Sequence, residues 1–339
     1  MFDLVIRNGL CINPDMSIPA DIAIQGGKIA QITIGENLLG EVVIDASGKY
    51  ILPGVIDTHV HLPWPSVNFN SVDNFDSGTL GAVHGGVTTI VEYVIPDESG
   101  RIIPALEQQV DLAKKQAHCD FSFHIILRKI TPLTLDEMAE AVEMGFTSFK
   151  IYTAYPGFRL EDPDILICLQ KAKEIGAMIC FHAEDGVLVN YASQQLIQSG
   201  RQMIRFYPQA HPRLADIEAT FRMVTYAQHV GGHVHIVHVN TREGMGLIRE
   251  ARKSGLAITG ETCPQYLTFT EEVYRSGCPE ASFFILSPVI REEADREALW
   301  RALADDSLQT IATDHCPYTR EQKFSGGDDF KTVPGGAGG

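Results

Sequence analysis

Basic side chains are scarce in this sequence: 27 lysines and arginines face 43 aspartates and glutamates, a formal net charge of −16 over 339 residues. A chain of that sign repels phosphate backbones, which argues against nucleic acid as its main partner. No stretch approaches the roughly 18–20 apolar residues of a spanning helix, which argues against a membrane partner. The start, Met1-Phe2-Asp3-Leu4-Val5-Ile6, has no basic region ahead of a long apolar core, so no secretory signal is read. No CxxC pair occurs among Cys11, Cys119, Cys168, Cys180, Cys263, Cys278 and Cys316. They are scattered, most of them in apolar runs where they read as buried thiols, and the set points to a reducing, cytoplasmic compartment rather than a zinc ribbon or a disulfide framework. What is present is ordinary for a soluble globular protein: 45% hydrophobic residues and a mean hydropathy near zero.

The chain organises into two unequal parts. Residues 1–50 read as short strands with turns; Asp21–Ile24 and Lys28–Ile32 flank Gly26-Gly27, a hairpin signal. Residues 51–339 alternate strand and helix patterns. Apolar runs fall at Tyr50–Thr58, Thr88–Val94, Phe121–Leu127, Ser148–Thr153, Ala177–Ala183, His233–Val239, Ala257–Gly260 and Thr310–Thr313. Thr134-Leu135-Asp136-Glu137 has the spacing of a capping box. Asp162-Pro163 reads as an N-cap followed by proline at the first helical position, and Gly176 and Gly255 as helix stops. Eight such units suggest a (β/α)8 TIM-type barrel. An open doubly wound sheet has similar periodicity, but the first βα turn lacks a GxGxxG loop.

In a parallel barrel, reactive groups project from the C-terminal ends of the strands. Five of the expected strand ends carry ligand-type side chains: His59 and His61 in Asp57-Thr58-His59-Val60-His61, Lys150, His182 in Phe181-His182-Ala183-Glu184, His238, and Asp314 in Thr313-Asp314-His315. Singly, each has an ordinary alternative. His59 and His61, at i and i+2, share a strand face and can grip one ion, yet a lone HxH is weak evidence. Lys150 can snorkel out at its strand end. His182 and His238 can be satisfied core histidines, and Asp314 can cap a loop. His233 and His235 have the opposite parity to His238, so they should face the helical layer or sit lower in the barrel. Taken jointly and in order, the pattern points to a metal site.

The ordered set His59-x-His61, Lys150, His182, His238 and Asp314 resembles the amidohydrolase superfamily, and within it the dihydropyrimidinase/hydantoinase branch of cyclic amidases. The supporting stretches are Pro53–Leu62, Gly85-Gly86-Val87-Thr88-Thr89, Ser148–Tyr155, His182-Ala183-Glu184, Gly260–Leu267 and Thr313-Asp314-His315-Cys316-Pro317. The resemblance implies a binuclear site of divalent ions, usually Zn2+. His59, His61 and Asp314 would hold one ion, His182 and His238 the second, and Lys150 would bridge both as an Nζ-carbamate. It further implies that a metal-bridging hydroxide opens a cyclic amide, with Tyr155 donating to the oxyanion and Asp314 moving the proton. Ser287 and Gly335 would contact the substrate, largely through backbone, and Trp64 would wall a ring substituent, with Phe69 as a second candidate. The small partner would be a 5,6-dihydropyrimidine or a 5-substituted hydantoin, and the assembly a homo-oligomer, a tetramer by analogy.

Three departures bear on the substrate. Dihydroorotases usually carry an arginine just after HxH; here His61 is followed by Leu62-Pro63-Trp64-Pro65, which argues against an acidic ring. The usual Pro-Pro-Leu-Arg reads Pro288-Val289-Ile290-Arg291, and the usual Pro-Asn-Gly reads Pro334-Gly335-Gly336. An allantoinase or related ureide or lactam hydrolase would share the metal site. A non-catalytic dihydropyrimidinase-related scaffold typically loses metal ligands, whereas all six are present here. The resemblance also pairs the N-terminal strands with C-terminal strands in a small β-sandwich. With strand eight expected near Thr310, the chain is expected to lack the last barrel helix and half of that sandwich.

Overall fold

The computed structural model describes residues 1–65, 69–275 and 279–338. Cys278 lies outside the described residues. The chain divides into two compact units, Met1–Val55 and Ile56–Gly339.

The first unit is a mixed sheet of β1 (Phe2–Ile12), β2 (Ser17–Gln25), β3 (Lys28–Thr33), β4 (Gly40–Asp45) and β5 (Tyr50–Ile51). The order is β3-β2-β1-β4, with β5 also on β1. The expected hairpin joins β2 to β3. Gly26 and Gly27 both take positive φ, 58° and 72°, as a two-residue turn matching strand twist requires. Val5, Ala23 and Leu38 form one small core, and Cys11, Ala20 and Ile22 another.

In the second unit, eight strands follow one another around a barrel: β6 (Val55–Val60), β7 (Val87–Val94), β8 (Asp120–Ile126), β9 (Ser148–Tyr152), β10 (Met178–His182), β11 (His233–Ile236), β12 (Ile258–Thr262) and β13 (Thr310–Ile311). The ring is joined by a parallel bridge between Val60 and His315, with the His61 N–H donating to the His315 carbonyl at 2.8 Å. Asp57 adds a second tie, accepting from the Thr313 N–H at 3.0 Å. Both faces of a barrel strand are covered, so these strands are nearly continuously apolar. The pleat still separates two environments. Phe149, Ile151, Ile179 and Phe181 pack with Ile165, Leu169 and Met223 of the helical layer. Lys150 and Cys180, at paired positions of β9 and β10, have the other parity and face inward.

Three local expectations are corrected. The run Tyr50–Thr58 is two strands, because Pro53 has no N–H to continue a ladder. The helix Pro132–Glu143 is capped by Thr131, whose hydroxyl accepts from the Thr134 N–H at 3.1 Å, so Thr134 is its third residue and not its cap. Pro132 explains the shift: it fits a first helical position and holds the preceding residue in the extended backbone that a cap needs. The helix Asp162–Glu174 likewise starts one residue early, with Glu161 at the cap; the Asp162 carboxylate accepts from Arg222 instead, at 2.6 Å. Among the described residues, no helix is long and apolar enough to cross a membrane.

Candidate metal centre

Every ligand-type residue singled out from the sequence reaches the same end of the barrel. His59 ends within β6, and His61 follows just beyond it. Lys150 sits mid-strand in β9, and His182 closes β10. His238 and Asp314 lie two and three residues past their strands, where alternation no longer sets direction. Both take positive φ, 40° and 54°, and Tyr155 takes 66°. A side chain bearing a Cβ holds that backbone at a cost of about 1–3 kcal/mol, and such residues cluster where a group must be aimed.

Two sets of donors result. His59 Nε2 and His61 Nε2 stand 3.2 and 3.0 Å from Asp314 Oδ1. His182 Nδ1 faces His238 Nε2 at 2.9 Å. A tetrahedral zinc ion with nitrogen bonds of 2.0–2.1 Å spaces its donors about 3.4 Å apart, so both sets are near coordination spacing. The His59 and His238 ring centroids lie 5.5 Å apart, which makes the two sets neighbours. Lys150 is fully buried and its Nζ has no hydrogen-bond partner; it lies 4.8 and 5.1 Å from the centroids of the Tyr93 and Tyr152 rings. An unpaired buried ammonium is costly. Burial accordingly pushes the Lys150 amine down to about 8 and His61 to about 4. The donor set, the spacing and the orphaned Nζ all fit a divalent metal site.

A second layer fixes which nitrogen each histidine presents. His59 Nδ1 donates to Glu261 Oε1 at 2.8 Å, which leaves Nε2 free to bind. Glu261 is fully enclosed; burial raises its pKa, but the His59 and His235 rings outweigh that and hold it well below the usual carboxylate range. His235, 3.6 Å from Glu261 and bonded to Thr259, sits lower in the barrel interior, the second of its two expected positions. Glu184 does the same for the other set. It accepts from His182 Nε2 at 3.3 Å, from His211 Nδ1 at 2.6 Å and from Ser287 Oγ at 2.8 Å. Behind it, Arg291 donates to the His211 carbonyl at 2.9 Å and pairs with buried Asp216. Sequence reasoning assigned no role to Glu261, Glu184, His211 or Asp216. Glu184 and Glu261 lie inside quoted stretches, so the signal was there; what they touch was not.

The donors open into a cavity of about 510 Å3 lined by Trp64, Tyr155, Phe158, Ser287, Gly335 and the ligand set, among others. Trp64 stacks on Phe158 at 5.7 Å, and the Tyr155 ring lies 4.8 Å from His182. Phe69 does not line it. Ser287 and Gly335 come to the same cavity, but the Ser287 hydroxyl is already committed to Glu184, which leaves its backbone to face a ligand.

The model of the Amidohydrolase family matches residues 50–337. A D-hydantoinase of Streptomyces coelicolor is 37% identical over 98% of this chain and 73% of its own length. One from Geobacillus stearothermophilus is 35% identical over 98% of this chain and 71% of its own. The solved D-hydantoinase (dihydropyrimidinase) of Thermus sp. superposes with a TM-score of 0.94 at 30% identity, covering 99% of this chain and 74% of that one. With the match spanning the barrel and every ligand-bearing strand end, the chain belongs to the amidohydrolase family, in its hydantoinase branch.

Proposed function

We propose that this chain opens 5,6-dihydropyrimidines or 5-substituted hydantoins by metal-dependent hydrolysis of a ring amide. It is a hydrolase of cyclic amide C–N bonds. The observation that carries the reading is the pair of donor sets around the orphaned Lys150 Nζ. His59, His61 and Asp314 would hold one ion, taken as Zn2+, and His182 and His238 would hold the second. Lys150 would serve both ions as an Nζ-carbamate. A neutral amine adds carbon dioxide and releases a proton to give a carbamate, whose two oxygens can serve two ions; burial lowers the Lys150 amine from 10.5 to about 8, which makes far more of that neutral form available than in an ordinary lysine. When bound, the ions make water nucleophilic at neutral pH and polarise a carbonyl.

The chain's own residues supply the rest. Burial keeps the Tyr155 phenol protonated well above its ordinary pKa, so it can donate to the oxyanion that forms on the attacked carbonyl. Asp314 is the proton carrier: burial raises its pKa, but the His59 and His61 rings outweigh that and keep it ionised. It takes the proton from the attacking water and passes it to the leaving nitrogen. The backbone of Ser287 and Gly335 recognises the amide edge, and Trp64 with Phe158 packs the ring substituent. Presence of all six ligand residues favours an enzyme over a scaffold. The six described cysteines are all free, which supports a cytoplasmic setting. A homo-oligomer, by analogy a tetramer, completes the reading, and light scattering of the purified chain checks it.

A panel of dihydrouracil, a 5-substituted hydantoin, allantoin and dihydroorotate, assayed with metal content measured on the same sample, tests the reading. Ring opening of the first two is expected. Preference for allantoin moves the chain to the ureide hydrolases, and preference for dihydroorotate refutes the substrate class.

A further inference from the structure

Outside the metal centre, one buried cation has no role in the chemistry above. Lys323 lies on the short helix Arg320–Ser325 and is 2% exposed. Its Nζ donates to the Ile285 carbonyl at 2.9 Å and to the Pro334 carbonyl at 2.8 Å, and it lies 5.5 Å from the Tyr318 ring. The charge is therefore met by two main-chain oxygens rather than by a carboxylate. Those oxygens belong to two adjoining strips of backbone, Ile285-Leu286-Ser287 and Pro334-Gly335-Gly336, which line the cavity at every position but Pro334.

The strips are also tied directly. The Gly336 N–H donates to the same Ile285 carbonyl at 3.0 Å; just beyond the second strip, the Cys316 N–H donates to the Ala337 carbonyl at 2.8 Å. Gly336 takes φ 138°, and a Cβ there would stand 2.5 Å from the Cys316 carbonyl oxygen, so the strip is pressed against its neighbour. Gly335 brings no side-chain amide to the cavity. Recognition of a ring amide here falls to main-chain N–H and C=O groups, which discriminate only if the main chain is held still.

We propose that Lys323 is a positioning residue that clamps the Ile285–Ser287 and Pro334–Gly336 backbones at the spacing a cyclic amide needs. The inference rests on the hydantoinase reading, since it assumes a ring amide in that cavity. Lys323 touches neither ligand residues nor reacting atoms, so its loss should act on substrate binding and leave the metal centre loaded.

The test compares the full chain with Lys323→Met, which keeps the apolar stem and removes both donors, and Lys323→Gln, which keeps a shorter donor. Dihydrouracil and a 5-substituted hydantoin serve as substrates, with metal content measured alongside. The expected result is a KM raised about tenfold or more in Lys323→Met, kcat and metal content within about twofold of wild type, and an intermediate KM in Lys323→Gln. An unchanged KM in either folded variant overturns the clamp. So does a parallel fall of metal content and kcat, which marks a general structural role, and so does failure of both variants to fold. A wild-type chain inactive on both substrates overturns the hydantoinase reading instead, which keeps the two failures apart.

Discussion

Replacing Glu261 with alanine removes the acceptor that orients His59, and the structure sets the scale of the loss. The bond is 2.8 Å long, and both side chains are 1% exposed, so no water replaces it. Breaking a charged hydrogen bond at such a site costs about 1.5–3 kcal/mol. The His59 ring is then free to present either nitrogen, and the energy is lost from ion binding rather than from the barrel. Comparable losses behind metal-bound histidines lower affinity about 10–100-fold. Glu261→Gln should fall between, because its amide oxygen still accepts, without charge. Competition against a chromophoric chelator, titrated with zinc, measures all three proteins. An affinity for Glu261→Ala within about twofold of wild type would refute the assignment of Nε2 as the binding nitrogen of His59.

Tyr155→Phe removes only the phenol, so kcat should fall about 10²–10³-fold with KM changed little; a KM effect alone would deny its oxyanion role. Arg291→Met removes the guanidinium paired with Asp216, which is 3% exposed, leaving it the Asn240 amide, and should cost about 3–5 kcal/mol in urea unfolding; a change under about 1 kcal/mol would show that Asn240 alone satisfies Asp216. The Lys323 amine is pushed down by burial to about 7, while the unfolded chain keeps an ordinary lysine near 10.5. Between those values the unfolded chain binds more protons, so stability rises with pH. The neighbouring Cys316 thiol, pushed up by burial to about 12, stays neutral there. Wild type should thus gain on Lys323→Met from pH 7 to 9, with a slope approaching about 1.4 kcal/mol per pH unit; parallel stability curves would show that the amine titrates normally.

The barrel and its candidate ligand residues were legible because the same residues carry both signals. A strand buried on two faces is apolar throughout, so a lysine or histidine inside one, such as Lys150 or His182, stands out in the sequence. Order along the chain then supplies the position around the ring. Glu261 and Glu184 were not readable in this way. Their partners, His59 and His211, lie 202 and 27 residues away, and only the closed barrel brings them within a hydrogen bond. The same holds for Lys323, whose two carbonyls lie 38 and 11 residues off. Helix starts failed for a local reason: Thr134 and Asp162 are good capping residue types, but Pro132 and Glu161 begin their turns earlier. His238 and Asp314 required positive φ, which no alternation pattern encodes.

Metal content of the full chain, wild type against Lys150→Ala, tests the central claim most directly. The account predicts about two divalent ions per wild-type chain and no binuclear site without the Lys150 bridge, with activity lost in step. Retention of both ions and of ring-opening activity by Lys150→Ala would contradict it.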